Sequence, residues 1–600
     1  MEKILAVAGS LLPGTPAPCT IARVQQVPLR IGITGHRDLD PSDVDRLRQT
    51  VEGLFRQLRE RLPGIHVELV SGMADGADRL AAEAALAAGL YVHALLPMPL
   101  DMYLDDFEPA SQDHLRALLS EPRVQTTELE LPVGIDREAA SVQGWARDAL
   151  YVALAERLRE GTSILLAMWD GEDRGLPGGT GDTVLRYLGL VTKEGARPAR
   201  KLPLPAAKAR AADGERPVFW LRTRRGGGDS AGNGLAGFLG IADDGEVVVT
   251  GLKLPESLAA ELERLVDYAA DAAAKVNPAE HDWGLTSDEA LQLRPAAAAA
   301  LRAIDYEYRR ADLLAVHHQQ RSDRLFKAFS LMAAFMGFLF LVYAKIYPGK
   351  VFLAGYLVLF AAGFLMFSLA TRRGWFTRHL MYRAIAESLR TRFYLSVAGV
   401  APRGIEQHLM RLLGVRRIAG FSWIGHILRA CTPFELGTTH DRPACFDWVR
   451  RTWIEDQHKY FSRKAHGLHH AHHRLEKFKN IILASMVLAV ASLMVFKGFL
   501  SYNEVLGLPL KTYLVFLLGL VPFWLGVWEI YQAKMAIKEL GWQYQNQLFH
   551  LERAASALRH PGSARRAVHI LDDTAERLLA DTYLWTVQRF HREHEPPAAG

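Results

Sequence analysis

The chain has 600 residues, a net charge of +5 and three cysteines, at positions 19, 431 and 445. Its length predicts several domains, and so small a net charge for this length gives no reason to expect nucleic acid as a partner. The cysteines lack metal-ligand spacing and form no disulfide framework, which fits a reducing compartment. We therefore predict neither a metal site nor a cofactor.

Residues 1–27 are predicted to be a plain N-terminal extension. The apolar stretch at its start runs only to Leu12, which is at the short end for the hydrophobic region of a signal peptide. The domain that follows is expected to bind cytosolic ligands, and this also favours an extension over a signal.

Residues 28–235 are predicted to form an α/β domain with a Rossmann-like, doubly wound parallel sheet, because strand-like and helix-like segments alternate. The predicted strands are short β-rich runs: Leu29–Thr34, Val67–Val70, Tyr91–Leu96, Ser163–Trp169 and Val218–Thr223. The predicted helices are Ser42–Leu62, Gly76–Ala88, Glu138–Arg159 and Thr183–Leu190.

Three polar or glycine-rich turns lie on the carboxyl side of predicted strands, where parallel α/β folds bind their ligands. We call them loop one (34–38), loop two (71–79) and loop three (177–182). The candidate ligand-binding residues in these loops are Thr34, Gly35, His36, Arg37, Ser71, Gly72, Asp75, Gly76, Asp78, Arg79, Gly178, Gly179, Thr180, Gly181 and Asp182.

The chemistry of these residues suits a phosphate-bearing ligand. Glycine lets the backbone approach a phosphate, and a helix N-terminus offers N–H groups and a positive dipole end. Thr180 and Ser71 add hydroxyl donors, and Arg37 adds a guanidinium. Asp75 or Asp78 would accept from ribose hydroxyls, or would simply cap the second helix. The competing interpretation is three ordinary tight turns with helix caps, since neither a dinucleotide G-x-G-x-x-G nor a P-loop is present.

The loop sequences carry a family resemblance. Gly-Ile-Thr-Gly-His-Arg at 32–37, Ser-Gly-Met-Ala-Asp-Gly-Ala-Asp-Arg-Leu at 71–80 and Gly-Gly-Thr-Gly-Asp at 178–182 resemble the SLOG superfamily. That superfamily includes LOG phosphoribohydrolases, DprA-type proteins and the N-terminal sensor of melastatin-type TRP channels. The resemblance covers about residues 28–225 and implies binding of a nucleotide or an ADP-ribose-like messenger.

The chain departs from the enzymatic branch of that superfamily. LOG hydrolases carry Pro-Gly-Gly-x-Gly-Thr-x-x-Glu, whereas Pro177-Gly178-Gly179 is followed here by Thr-Gly-Asp-Thr-Val-Leu. No glutamate occupies the expected position, and Asp182 is the only nearby carboxylate. Sensing is therefore favoured over hydrolysis.

The back half of the chain contains four apolar runs of about the 20 residues that a membrane-spanning helix needs. They form two hairpins: Phe326–Tyr347 with Val351–Thr371, and Ile481–Leu500 with Thr512–Glu529. A helical linker, 236–320, precedes them. A long helix, Pro295–Lys327, begins in this linker and runs directly into the first span. We predict an all-α, multi-pass membrane domain.

Lysine and arginine placement predicts the topology of the spans. The long flanks of both hairpins are rich in these residues, as in Arg321, Arg324, Arg372 and Arg373, whereas the short connecting loops carry few. The positive-inside rule then puts both termini in the cytoplasm and the short loops outside.

The two hairpins are predicted to be an internal repeat offset by about 155 residues. The predicted divisions are two two-transmembrane modules at 321–400 and 461–560, an amphipathic connector at 401–460 and a C-terminal helical tail at 561–600. This arrangement, with short pieces such as Tyr-Arg-Ala-Ile-Ala-Glu at 382–387, resembles the SLATT family, two-transmembrane effectors that accompany SLOG domains in bacterial conflict systems. That resemblance implies a pore or membrane-disrupting effector gated by a messenger.

The sequence therefore leads to one main hypothesis: a homo-oligomeric effector of the bacterial inner membrane that senses a nucleotide-derived messenger and opens a conductance, in antiphage defence. Its partners are the lipid bilayer and the messenger. A membrane-tethered LOG-like nucleotide phosphoribohydrolase is the alternative, and a scaffold with a vestigial sensor is a third interpretation.

Overall fold

The computed structural model describes residues 26–132, 134–190, 200–201, 204–205, 216–226, 236–241, 247–280, 283–400, 421–435, 442–534 and 537–593. Two compact units share the chain. The first, the α/β unit, comprises the chain up to Arg310 together with Ser388–Cys445. The second, the helical unit, comprises Ala311–Glu387 and the chain from Phe446 onward. Residues 1–25 of the predicted N-terminal extension lie outside the described residues. Residues 401–420 of the predicted connector do so too.

The α/β unit is built on a nine-stranded sheet with the order β4-β3-β2-β1-β5-β9-β10-β11-β8. Its strands are β1 Val27–Gly35, β2 Ile65–Ser71, β3 Tyr91–Leu96, β4 Val124–Glu128, β5 Ile164–Trp169, β8 Leu204–Pro205, β9 Val218–Arg222, β10 Ala236–Ile241 and β11 Val247–Gly251. A separate two-stranded pair joins β6 Glu172–Asp173 to β7 Arg200–Lys201. Every residue of β2 and β5 is buried, as expected for central strands of a sheet covered on both faces.

The sheet is mixed, whereas the sequence predicted a parallel one. The first six strands in the order run parallel to one another. The hairpin formed by β10 and β11 then adds antiparallel to β9. The alternation of strands and helices ends before this hairpin, so the pattern that predicted parallel pairing did not extend to it.

Helices connect the strands and precede the membrane region. They are α1 Pro41–Arg61, α2 Ala77–Ala87, α3 Leu100–Leu104, α4 Pro109–Leu119, α5 Arg137–Ser141, α6 Trp145–Gly161, α7 Thr180–Tyr187, α8 Glu256–Lys275 and α9 Asp288–Leu293. The single helix predicted at Glu138–Arg159 is in fact α5 and α6. Gly144 separates them with a φ of 148°, a conformation that favours glycine and interrupts the helical hydrogen bonds.

Residues 421–435 are part of the α/β unit, although they follow the first hairpin in the chain. They contain the buried helix α13, Ile424–Ala430. Phe434 packs into a core cluster with Val70, Leu95, Leu129 and Leu158. Arg30, from β1, donates to the carbonyl of Thr432 over 2.8 Å and lies over the Phe434 ring. The chain between the two hairpins is therefore built into the sheet domain.

The helical unit contains four helices long and apolar enough to cross a membrane. The helices that lie wholly or partly in this unit are α10 Ala298–Leu341, α11 Lys350–Arg372, α12 Arg378–Ala398, α14 Arg442–Val449, α15 Asp456–Val495, α16 Lys497–Tyr502, α17 Leu510–Lys534, α18 Ile537–Arg559 and α19 Ala564–Glu593. Single π-helical turns follow α10 and α14, at Val342–Ile346 and Arg450–Glu455. A short strand pair, β12 Glu504–Val505 with β13 Leu508–Pro509, closes the second hairpin.

The first and fourth spans pack against each other within one chain. A Cβ on Gly337 would lie 2.0 Å from the Phe523 ring, so the absence of a side chain at Gly337 leaves room for this ring between α10 and α17. Trp524 Nε1 donates to the carbonyl of Ala334 over 3.0 Å. Small residues that admit a neighbouring helix are typical of contacts between spans. The two hairpins thus share one interface.

Candidate functional site

The strand order places a switch point between β1 and β5. From β1 the chain moves outward through β2 and β3 to β4, and it then returns to β5 on the other side of β1. In open α/β sheets ligands bind in the crevice at the carboxyl ends of the strands on either side of such a reversal. Gly35 ends β1 and Trp169 ends β5, so loop one and the residues after Trp169 flank this crevice.

Loop three meets loop one at the end of β1. Thr180 Oγ1 donates to the carbonyl of Gly35 over 2.9 Å. A Cβ on Gly35 would lie 2.3 Å from the Cβ of Ala77 and 2.6 Å from the carbonyl oxygen of Met168. Gly35 therefore lets β1, β5 and the start of α2 approach one another.

Loop two meets loop one through Gly76, which caps α2 with a φ of +76°. A Cβ there would lie 2.4 Å from the carbonyl oxygen of His36 and 2.3 Å from that of Arg37. The N–H of Ala77 donates to the His36 carbonyl over 2.9 Å. The cap of α2 is thus Gly76, and neither Asp75 nor Asp78 supplies it.

Arg37 presents a positive charge to solvent at this site, with 45% of its side chain exposed. Its Nη2 donates to the Tyr151 hydroxyl over 2.9 Å and lies 3.8 Å from Asp106 Oδ2. Burial disfavours the charged guanidinium, but Tyr151, Tyr103 and Asp106 outweigh this and raise the pKa of Arg37 above its ordinary value. Arg37 is therefore held in place as a permanent positive charge.

Arg79 is the last residue of loop two, and its buried side chain shapes the rest of the loop. Its side chain is 3% exposed and pairs with Asp75 at 2.7 Å. Its Nε donates to the carbonyl of Met73 over 3.0 Å, which holds Met73 at a φ of 58°, rare for a residue with a Cβ. Burial lowers the pKa of Arg79. Arg79 Nη2 has no hydrogen-bond partner among the residues that the structure describes.

Ser71 and Gly72 are the first residues of loop two, and both are buried. Their polar atoms form hydrogen bonds with other groups of the protein. Ser71 Oγ donates to the carbonyl of Asp78 over 3.2 Å and accepts from the N–H of Met73. The Gly72 carbonyl accepts from the Tyr103 hydroxyl over 2.9 Å. The Ser71 hydroxyl, predicted as a ligand donor, therefore organises the loop.

Asp182 holds loop three in shape, and the loop passes close to α6. Asp182 Oδ2 accepts from the N–H of Gly178 over 2.9 Å and from Arg186 Nε over 2.7 Å. Gly178 has a φ of +70°, and a Cβ there would lie 2.5 Å from the Cβ of Tyr151. A Cβ on Gly181 would lie 2.8 Å from the Cα of Asp173. These residues fix the path of the loop and leave Gly179 and Thr180 half-buried at its surface.

Two groups beside the crevice were missed by the sequence analysis. Asp170, directly after β5, lies 3.1 Å from Nε2 of the buried His36 and 3.3 Å from Arg225 Nε. Burial opposes ionisation of Asp170, but the adjacent His36 ring and the hydrogen bond from the Glu172 N–H outweigh it and lower its pKa. Tyr151 is the other, because it lies within α6 and no turn signal marks it. The position of Asp170 at a strand end was a usable signal.

The fifteen predicted residues divide into two groups by exposure. Those at least partly exposed around the crevice are Thr34, Gly35, Arg37, Asp75, Gly76, Gly178, Gly179 and Thr180. Those buried behind it are His36, Ser71, Gly72, Asp78, Arg79, Gly181 and Asp182. The structure thus brings the three loops together, with an outer group able to contact a ligand and an inner group that holds the loops in shape.

Asp78 gives the site a pH-dependent stability. Burial raises the pKa of its carboxyl from 3.8 to about 7, against weaker opposing effects of the Ala74 N–H and Arg37. Between these pH values the folded state binds more protons than the unfolded state, so wild-type stability falls as the pH rises and levels off above about pH 7. Asp78→Asn removes this titration. We expect the variant to gain about 2–3 kcal/mol relative to wild type between pH 5 and pH 8.

The measurement is thermal unfolding of both full-length proteins in detergent across this pH range. Asparagine keeps an acceptor for the Ala74 N–H, so the difference between the two proteins isolates the carboxyl proton. A difference that stays constant from pH 5 to pH 8 would contradict the assignment.

Comparison with known proteins adds no family to this geometry: no protein-family model, curated protein or solved structure matches the chain.

Proposed function

We propose that the protein is a membrane effector in which the α/β unit binds a nucleotide-derived second messenger at the β1–β5 crevice and controls a pore or membrane-disrupting activity of the helical unit. One observation carries the proposal: three loops, held together by close approaches at Gly35, Gly76 and Gly178, meet at the switch point around the exposed side chain of Arg37. Such a crevice suits an anionic ligand with phosphate groups. The bacterial inner membrane and antiphage defence rest on the SLOG and SLATT resemblances alone.

The path of the chain supports control of the helical unit by the α/β unit. The chain passes between the units three times, after Arg310, Glu387 and Cys445. Each passage lies within a helix, in α10, α12 and α14 respectively. Helices transmit displacement better than flexible linkers because their backbone hydrogen bonds resist bending. A ligand acts through such connections only if it binds one state more tightly than the other.

Loop two and residues 421–435, in the connector between the hairpins, have neighbouring residues in common. Val70, directly before loop two, packs against Phe434, and Leu154 of α6 packs on the same cluster. Leu154 is also the nearest side chain to the position of a Cβ on Gly72, at 2.9 Å. A change in loop two on ligand binding would therefore reach residues 421–435, which lie in the chain between the two hairpins.

Arg37→Ala is expected to weaken ligand binding at least about tenfold, because a charge-assisted hydrogen bond to phosphate contributes about 1.5–3 kcal/mol. The fold should survive, since Asp106 keeps its 2.6 Å ion pair with Arg147. The measurement is dye release from liposomes containing the full-length protein, titrated with ADP-ribose and with nucleoside mono- and diphosphates.

The matched control is Arg56→Ala, which removes an exposed arginine of α1 that pairs with Glu52 on its own helix. We expect its titration curve to overlay that of wild type. Unchanged release by Arg37→Ala, or no release by wild type with any of these compounds, would reject the proposal.

The hydrolase alternative gains no support from loop three. Asp182 Oδ2 accepts hydrogen bonds from Gly178 and Arg186, so the carboxylate nearest the family's glutamate position holds the loop. Assay of nucleobase release from nucleoside monophosphates tests the alternative directly. It needs the full-length chain, because a fragment ending at residue 235 would lack Phe434 and the rest of the 421–435 segment.

A further inference from the structure

A groove of about 450 Å³ lies between α15 and α17 in the helical unit, near one end of the third and fourth candidate spans. On α17 its lining residues, from Val521 to Gln532, recur at helical spacing and cover about 16 Å of helix. On α15 the lining extends from Glu476 to Ile482. The groove therefore runs along two neighbouring spans.

The polarity of the groove changes along its length. The end of the groove nearest the ends of the two spans carries Glu476, Lys479, Glu529 and Gln532. The other end, nearer the middle of the spans, is lined by Ile482, Val521 and Leu525. Lys479 Nζ and Glu529 Oε1 form an ion pair of 2.6 Å, with 43% and 46% of the side chains exposed. Lys479 lies just before the apolar run of the third span, which begins at Ile481, and Glu529 ends the apolar run of the fourth span. In helices that cross a bilayer, the ends of the apolar runs lie near the boundary between the head groups and the acyl chains.

Two tryptophans form the wall between the polar and apolar ends. Trp524 is fixed by its hydrogen bond to the Ala334 carbonyl, and the Trp528 ring stacks on Tyr531 with centroids 5.5 Å apart. Indole faces attract cations, and the attraction strengthens where water is excluded. The groove thus offers a fixed aromatic surface beside a carboxylate.

The charges of the groove select among lipid head groups. Two carboxylates face one lysine, so a head group with phosphate as its only charge meets a net negative lining. A zwitterionic head group satisfies both signs, since the lysine ammonium has three donors and Glu529 occupies one of them. A primary ammonium can also donate hydrogen bonds to carboxylates, which a quaternary ammonium cannot.

We propose that this groove binds one phosphatidylethanolamine molecule of the surrounding bilayer. The phosphate contacts Lys479, the ammonium contacts Glu529 and Glu476 beside the Trp528 ring, and an acyl chain lies along Ile482 and Val521. The site does not depend on the proposed sensing function, because no residue of the α/β unit takes part in it.

The test is native mass spectrometry of the full-length protein in detergent, with phosphatidylethanolamine, phosphatidylglycerol and phosphatidylcholine of identical acyl chains. We expect wild type to retain phosphatidylethanolamine about tenfold better than the other two, which corresponds to one charge-assisted hydrogen bond. Equal retention of the three lipids, or preference for phosphatidylglycerol, would overturn the proposal.

Two variants and a control assign the binding to this groove. Glu529→Gln keeps the shape of the side chain and should remove the preference. The double variant Lys479→Gln/Glu529→Gln should do the same and removes both members of the ion pair together, so it decides the matter if the single variant misfolds. Lys497→Ala removes an exposed lysine near the opposite end of the span and should behave as wild type. Retention of the preference in the double variant would place the lipid elsewhere.

Discussion

Gly35→Ala is expected to destabilise the α/β unit by about 2–3 kcal/mol and to abolish ligand binding, because overpacking at a rigid contact forces the backbone apart. The added methyl would lie 2.3 Å from the Ala77 Cβ and 2.6 Å from the carbonyl oxygen of Met168. Both neighbours belong to elements that form the crevice, and neither is the movable end of a long side chain. The substitution therefore strikes the junction of β1, β5 and α2 directly.

The same substitution at Gly53 is the matched control. Gly53 lies within α1, and a Cβ there would meet nothing within 4 Å. Replacing glycine by alanine inside a helix should stabilise the protein by about 0.5–1 kcal/mol. Thermal unfolding of the two full-length variants in detergent measures both effects. A Gly35→Ala protein as stable as Gly53→Ala would show that the loops do not meet as described.

Phe434→Ala is expected to cost about 3–5 kcal/mol, the usual range for emptying a buried phenylalanine site. Phe434 is 2% exposed, and its ring meets His93 edge-on at 5.0 Å. A Cβ on Gly161 would lie 2.4 Å from the ring, so α6 is fitted closely to it. The exposed Phe549 of α18 is the control, and Phe549→Ala should change the unfolding temperature little.

Phe434→Leu separates stability from signalling. Leucine keeps the site apolar and mostly filled, so the variant should fold and bind ligand while its shape no longer matches Val70 and Leu154. We expect retained ligand binding with reduced dye release from liposomes. Release equal to that of wild type would show that residues 421–435 do not carry the signal.

The parts of the fold that follow local rules were predictable from the sequence. The strands that became β1, β2, β3, β5 and β9 are short runs rich in apolar and β-branched residues, bounded by turn residues, and such patterns depend on neighbours in the chain. The incorporation of 421–435 into the sheet domain depends on contacts such as Arg30 with Thr432, 402 residues apart. No periodicity within either segment encodes that contact.

The candidate site divides in the same way. The three loops were found because glycine and polar residues follow strands, and Gly35, Gly76 and Gly178 mark close approaches. Exposure within the loops was not predictable, since Ser71 and Arg37 are both polar loop residues in sequence. Only the packing shows that Ser71 is used within the protein and that Arg37 remains at the surface.

The discontinuity of the α/β unit has a consequence for biosynthesis. Residues 388–445 are translated after the first two spans, yet Phe434 completes a core whose other members lie before residue 160. The strands of the sheet therefore leave the ribosome before the residue that fills this core has been made. The missing segment is synthesised only after the first hairpin. Folding of the α/β unit and insertion of the first hairpin become steps of one ordered assembly process.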